Sequence, residues 1–262
     1  MTKPTSCASI VALALALAAP GTVHAADGWS GNLALTSRYV SRGFVQSWDK
    51  PALQGGLQYD RGGLFVGTWA STVSKYFIED GKVEWDLYAG YGGQAGKLRY
   101  TGSINYYQYP GAEMSATGTS YDYGEVILGA GAGPVDVSYA VTFTRDYFGD
   151  NSATLGTGID QHSRGSGYLS VDAAFPLGQR LSLGLHAGKQ SVRNFSEADW
   201  KDAKVSLDTS LGGFDWSLAW TRAWDKHGYY RSYTTGIADG SGRIRVSDPI
   251  KSRVTLSVSR AF

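Results

Sequence analysis

The links between its strand-like segments constrain this chain more tightly than any one segment does. Period-two hydrophobicity bounded by Gly, Pro, Asn and Asp marks about twelve strands. They fall near Asn32–Phe44, Ala52–Asp60, Leu64–Val73, Lys82–Gly92, Lys97–Tyr109 and Tyr121–Ala132. The others fall near Pro134–Arg145, Gly167–Phe175, Arg180–Gln190, Lys201–Ser210, Phe214–Asp225 and Ser252–Phe262. Between them the chain alternates. Val45–Pro51, Ser74–Gly81, Pro110–Ser120, Asp146–Ser166, Ser191–Trp200 and Lys226–Lys251 are long links. Arg61–Gly63, Gly93–Gly96, the break at Gly133, Pro176–Gln179 and Leu211–Gly213 are short ones. A soluble sandwich has no reason to keep that rhythm. A membrane barrel does, with short periplasmic turns and longer outer loops, and an even strand count returns both termini to the short-turn side.

The two faces of the segments point the same way. Val83, Trp85, Leu87, Ala89 and Tyr91 alternate with Glu84, Asp86, Tyr88 and Gly90. Val135, Val137, Tyr139, Val141 and Phe143 alternate with Asp136, Ser138, Ala140, Thr142 and Thr144. Charges and very small residues on the polar face line a dry core poorly and a watery lumen well. Trp216, Trp220 and Trp224 share an apolar face, as do Tyr100 and Tyr106, which suits an interfacial aromatic girdle as well as cross-strand packing. In Tyr121–Ala132 the register is ambiguous, because Glu125 and Ile127 share one parity and Val126, Leu128 and Ala130 the other. Arg222 and Arg260 fall on apolar faces near strand ends, where a long side chain can snorkel to the headgroups. The closing segment puts Val254, Leu256, Val258 and Phe262 on one face and stops on the aromatic residue. Phe262 is the expected signal to a barrel-assembly machinery. By itself, that segment would equally end a sandwich.

Met1–Ala25 reads as a secretory signal peptide, with Lys3, an apolar run over Ile10–Ala19 and small residues at Val23–Ala25. The run is about ten residues, too short for a membrane-spanning helix. The single cysteine, Cys7, lies before it, so the mature chain carries none. The chain has 24 Lys+Arg and 23 Asp+Glu, and removal of Lys3 makes the two equal. Nothing in that balance calls for a nucleic-acid partner. The domain expected is Ala26–Phe262, an all-β antiparallel transmembrane barrel.

Several runs also resemble a known family. Thr36–Ser47 (TSRYVSRGFVQS), Pro51–Tyr59 (PALQGGLQY), Gly67–Ser71 (GTWAS) and Glu84–Tyr91 (EWDLYAGY) are similar to the TorF porin family, earlier catalogued as Gcw_chp. Tyr106–Gly111, Tyr123–Ala130 and the turn Leu211–Phe214 extend the likeness over essentially the whole mature chain. The match is weakest in Lys226–Lys251. The resemblance implies an outer-membrane barrel of porin type and supplies no catalytic or substrate residues.

Candidate chemistry is sparse. His162 and His227 lie in loops and His186 on a polar strand face, and no G-x-S-x-G elbow surrounds any serine, which leaves a hydrolase as a third reading. No H-E-x-x-H or calcium-loop motif is present, and Asp146, Asp150, Asn151 and Asp160 read as solvated loop residues that could at most chelate calcium weakly. No catalytic, cofactor-binding or metal residue is expected. The lumen charges carry the functional signal. Arg38, Arg42, Arg99, Lys204 and Arg253 fall on polar parity, as do Glu84, Asp86, Asp136, Asp172, Asp208 and Asp215. Opposed charges around a pore bias which small hydrophilic solutes or ions pass. The same charges could instead be salt bridges bracing a plugged barrel, the basis of a structural or adhesion role. Lys226, Arg231, Arg243, Arg245 and Lys251 make the last loop basic. Folded inward it would favour anions; left outside it would meet lipid and lipopolysaccharide phosphates.

Overall fold

The computed structural model describes residues 27–262, so the expected signal peptide, Met1–Ala25, lies outside the described residues. Twelve antiparallel strands close into one barrel. They are β1 (Gly28–Thr36), β2 (Ala52–Arg61), β3 (Leu64–Thr72), β4 (Val83–Ala95), β5 (Leu98–Gln108) and β6 (Tyr123–Ala132). The second half comprises β7 (Val135–Thr142), β8 (Gly167–Pro176), β9 (Leu181–Ser191), β10 (Trp200–Leu211), β11 (Phe214–Asp225) and β12 (Arg253–Ala261). Each pairs with its neighbours in sequence, and β1 closes the ring on β12 through Asn32↔Ala261 to Thr36↔Ser257. The ladder runs on past the last strand residue: the Phe262 N–H donates to the Gly31 carbonyl (3.0 Å), and the Gly31 N–H donates back (2.9 Å). Closure leaves no unpaired edge, which is what permits a sheet to sit in hydrocarbon.

The short turns follow from their residues. Gly62 and Gly63 take φ of 57° and 86°, the paired positive values a two-residue hairpin needs to match the twist of its strands. Along every strand, parity then sorts the side chains. Leu33, Leu57, Val66, Leu87, Ile104, Leu128, Val137, Val171, Val205, Leu218 and Leu256 all lie on the outer surface, exposed. Ser71, Glu84, Asp86, Glu125, Gln190, Asp202 and Ser206 lie inside, buried. Such apolar-out, polar-in order is the reverse of a soluble protein and places the outer belt in lipid. The two outward arginines find aromatic partners, with Arg222 5.3 Å from the Trp224 ring and Arg260 5.7 Å from that of Phe214.

Two expectations change. The first strand was expected to run from Asn32 to Phe44, but β1 stops at Thr36. Residues 37–51 leave the wall, and Val40–Ser41 and Phe44–Val45 form a small ribbon of their own around a turn in which Arg42 and Gly43 have φ of 45° and 85°. Arg38 and Arg42 are therefore loop residues and do not line a strand. In β6 the ambiguous register resolves with Glu125 and Ile127 inward, Ile127 being buried with Ala140 and Tyr168. One apolar residue on the inner face had hidden the parity.

Candidate functional site: the barrel interior and its closed end

A row of ionisable side chains follows the hydrogen-bonding direction around the inner wall. Cross-strand partners run Arg99↔Gly131↔Asp136↔Asp172↔His186↔Lys204↔Thr221↔Arg253 from β5 to β12. Asp136 and Asp172 oppose each other directly, a like-charge pair that would destabilise the sheet unless neutralised. Each has a partner on its other side. Arg99 Nη2 lies 2.6 Å from Asp136 Oδ1, and His186 Nδ1 lies 2.8 Å from Asp172 Oδ1. Arg99 reaches Asp136 across β6 because residue 131 is glycine: a Cβ there would fall 2.7 Å from Arg99 Nη2. His186 Nε2 is also 2.9 Å from Asp202 Oδ2, and the Tyr168 hydroxyl donates to Asp202 Oδ1 (2.9 Å). Tyr168 carries the guanidinium of Arg42 over its ring at 4.4 Å.

Arg42 belongs to residues 37–51, which fold back into the barrel. Its guanidinium donates to Glu125 Oε1 and Gln190 Oε1 (both 3.0 Å), and Trp200 Nε1 donates to its carbonyl (2.9 Å). Nearby, Phe44 meets Trp200 and Tyr230 edge to face, each at 4.8 Å. Around this pair the long-loop end fills with a cluster that includes Phe77, Tyr109, Tyr121, Tyr147, Phe195 and Ile250. These residues come from every long loop, so the aromatic cluster gathers at that end as a plug. The second tether is Asp49, which accepts from Arg38 Nε (2.7 Å) and from Arg253 Nε (2.6 Å) and Nη2 (2.9 Å). Partial burial pulls the Asp49 carboxyl upward, but the hydrogen bonds and charge of Arg253 and Arg38 outweigh it and hold the group below the usual range.

The remaining expected lumen residues also face inward. Glu84 and Asp86 are buried near the plug, while Asp208 and Asp215 are more open at the short-turn end, where Ser206 donates to Asp208 (2.8 Å) and Ser210 to Asp215 (2.5 Å). Lys204 sits between His186 and Thr221. Phe262 is outside the barrel and exposed. Glu125, Asp202, Tyr168 and Gln190 were not singled out from the sequence. Asp202 shares parity with Lys204 and Asp208 and was legible there; Glu125 was obscured by Ile127. The five basic residues of the last loop are exposed, although Tyr230 and Ile250 of the same loop enter the plug.

A separate cleft of ≈560 Å³ lies among the loops, lined by Ser120, Arg145, Asp146, Asn151 and His162. Several of its polar groups are committed to the loop itself, while His162 Nε2 is left without a hydrogen-bond partner. Asn151 caps the short helix α1 (Ser152–Leu155), and Asp146 accepts from Asn151 (3.0 Å) and meets His162 Nδ1 (2.6 Å). Among the described residues no three His, Cys, Asp or Glu side chains converge to hold a metal ion.

A closed antiparallel barrel with an apolar exterior, a charged interior and loops gathered at one end is a porin-like transmembrane β-barrel. Residues 22–262 match the family described as "Bacterial protein of unknown function (Gcw_chp)", and the chain belongs to that family. No curated protein matches it. Among solved structures, the KdgM porin superposes with a TM-score of 0.52 at 9% identity, covering 89% of this chain and 99% of that one. The KdgM porin in complex with disordered oligogalacturonate gives a TM-score of 0.52 at 8% identity over the same shares, 89% and 99%. At that identity the likeness is one of fold.

Proposed function

We propose that this protein is an outer-membrane porin-like channel of a Gram-negative bacterium, a member of the group also called TorF. It passes small hydrophilic solutes or ions by passive diffusion along a narrow, charged lumen. The observation that carries the reading is the inward row from Arg99 through Asp136, Asp172 and His186 to Lys204. These ionisable groups are only partly buried, with Arg99 paired to Asp136 and His186 to Asp172, so the interior they line is polar and within reach of water. A barrel of twelve strands leaves a narrow passage, since width grows with strand number. Acidic side chains outnumber basic ones on this inner wall, which favours cations. The oligogalacturonate of the KdgM complex is therefore not carried over, because it is a polyanion. In this reading the basic last loop rests on lipopolysaccharide phosphates, and Phe262 is read by the barrel-assembly machinery. The reading needs no catalytic residue and no cofactor.

The aromatic plug favours a second reading, a closed structural or adhesion barrel. Single-channel recording of the refolded protein in planar bilayers separates the two, with a gel band that shifts on heating as the check of folding. Wild type is compared with a variant lacking residues 38–48. Steps in wild type, with a reversal potential set by cations, establish a channel that is open at rest. Steps only in the deletion variant establish a channel gated by the plug. Silence from both folded proteins overturns the channel reading and leaves the closed barrel.

A further inference from the structure

Two carboxylates at the closed end are not accounted for by the ion pairs above. Glu84 and Asp86 occupy successive inward positions of β4, opposite Ser71 and Trp69 of β3, and are 2% and 4% exposed. Glu84 Oε2 and Asp86 Oδ1 have no hydrogen-bond partner. Among the described residues, neither side chain is in a salt bridge, and Arg42 is already engaged with Glu125 and Gln190. Two neutral oxygens nearby are also left open. The Tyr107 hydroxyl belongs to the cross-strand partner of Asp86 on β5, and Gln46 Oε1 comes from residues 37–51, whose backbone joins Ser74 just past β3 (Ser74 N–H to Gln46 O, 3.0 Å). Both residues are more than nine-tenths buried.

Burying a carboxylate oxygen without a donor is costly, and burying two such groups side by side adds their mutual repulsion. The Tyr39 and Tyr109 hydroxyls reach Glu84 but carry no charge, so the paired negative charge still calls for a cation or protons. The donor set consists entirely of oxygen, with no imidazole or thiolate, which is the preference of hard cations rather than of zinc or copper. We infer that Glu84 and Asp86, with the Tyr107 hydroxyl and the Gln46 amide oxygen, hold a hard, oxygen-seeking metal cation at the closed end of the barrel. The ion offsets the charge of the pair and ties the inserted loop, through Gln46, to the wall at β4 and β5. This inference does not depend on conduction and stands equally for a closed barrel.

The test reads stability instead of current. Refolded protein in micelles free of lipopolysaccharide is titrated with sodium chloride or calcium chloride, each against choline chloride at equal ionic strength. The midpoint of the heat-induced gel shift is followed. Wild type is expected to gain several degrees from one metal ion and nothing from choline, whose quaternary ammonium is too bulky for the site. Whether sodium or calcium acts identifies the ion. In Glu84→Gln/Asp86→Asn the metal-specific gain is lost, while the midpoint in choline rises because the uncompensated charge is gone. Should the double variant fail to fold, Glu84→Gln and Asp86→Asn are taken singly, and sodium-23 line broadening on wild type, reversed by calcium, gives a direct reading. Equal midpoints for wild type in metal and choline salts overturn the inference. So does a metal-specific gain that survives in the variants. A midpoint that responds to pH but to no metal assigns the site to protons and overturns it too.

Discussion

Removing the guanidinium of Arg42 tests the plug most directly. The side chain is 5% exposed and its partner Glu125 is 0% exposed, so the charge left behind in Arg42→Met has little water to turn to. Breaking a buried pair from one side costs about 3–5 kcal/mol, far more than the pair adds over an apolar replacement. Glu125→Gln, which leaves Arg42 unpaired, should cost a similar amount. Arg42→Met/Glu125→Gln should cost much less than the sum, because neither charge remains. The loop has another way out. If residues 37–51 undock, Glu125 is rehydrated, and the measured cost is capped by the free energy of undocking. A cost of about 3 kcal/mol shifts that equilibrium by about two decades. Two assays follow it: urea unfolding of the folded barrel, and protease cleavage within residues 37–51. Cleavage should accelerate in each single variant and return towards wild type in the double. A single variant that costs less than about 1 kcal/mol, or a double variant that costs the full sum, would refute the claim that this pair anchors the plug.

Other consequences can be checked alongside. Arg99→Gln leaves Asp136 facing Asp172 and should cost about 1–2 kcal/mol in urea unfolding; Gly131→Val should cost at least as much, by blocking the reach between Arg99 and Asp136. Burial, and then the charge of Asp146, push the Asp150 carboxyl up to about 8. A raised acid stabilises the folded loop fully below its unfolded value, and that contribution is lost as pH rises through 8. Proteolysis within residues 143–166 should therefore be faster at pH 9 than at pH 5, and Asp150→Asn should remove the difference. Asp49 has the opposite sign. Its lowered value lends stability above the unfolded carboxylate range near about 4, and this is lost in acid, so residues 37–51 should loosen only at low pH. Deleting Phe262 removes its backbone pairing with Gly31 and should slow formation of the heat-shifted band in refolding trials.

What the sequence by itself determined is the barrel and the sorting of its faces. Period two is a property of one strand at a time, and the alternation of short and long links states which strands are hairpin partners, so both are readable without coordinates. The inward parity of Asp136, Asp172, Lys204 and Asp208 followed from the same signal. The partners of those charges did not. Arg99 meets Asp136 only because β5, β6 and β7 align in one register and residue 131 carries no side chain. Only the tertiary structure decided the closed end. The run through Arg38 and Arg42 keeps the alternation of a strand, and local pattern has no term for the contacts that take it out of the wall. Those contacts, from Arg42 to Glu125 and Gln190 and from Phe44 to Trp200 and Tyr230, join residues at least 83 apart in sequence. The plug exists because burying those rings and pairing that charge together outweigh extending β1 by a few hydrogen bonds, and that balance is struck only when all the long loops meet.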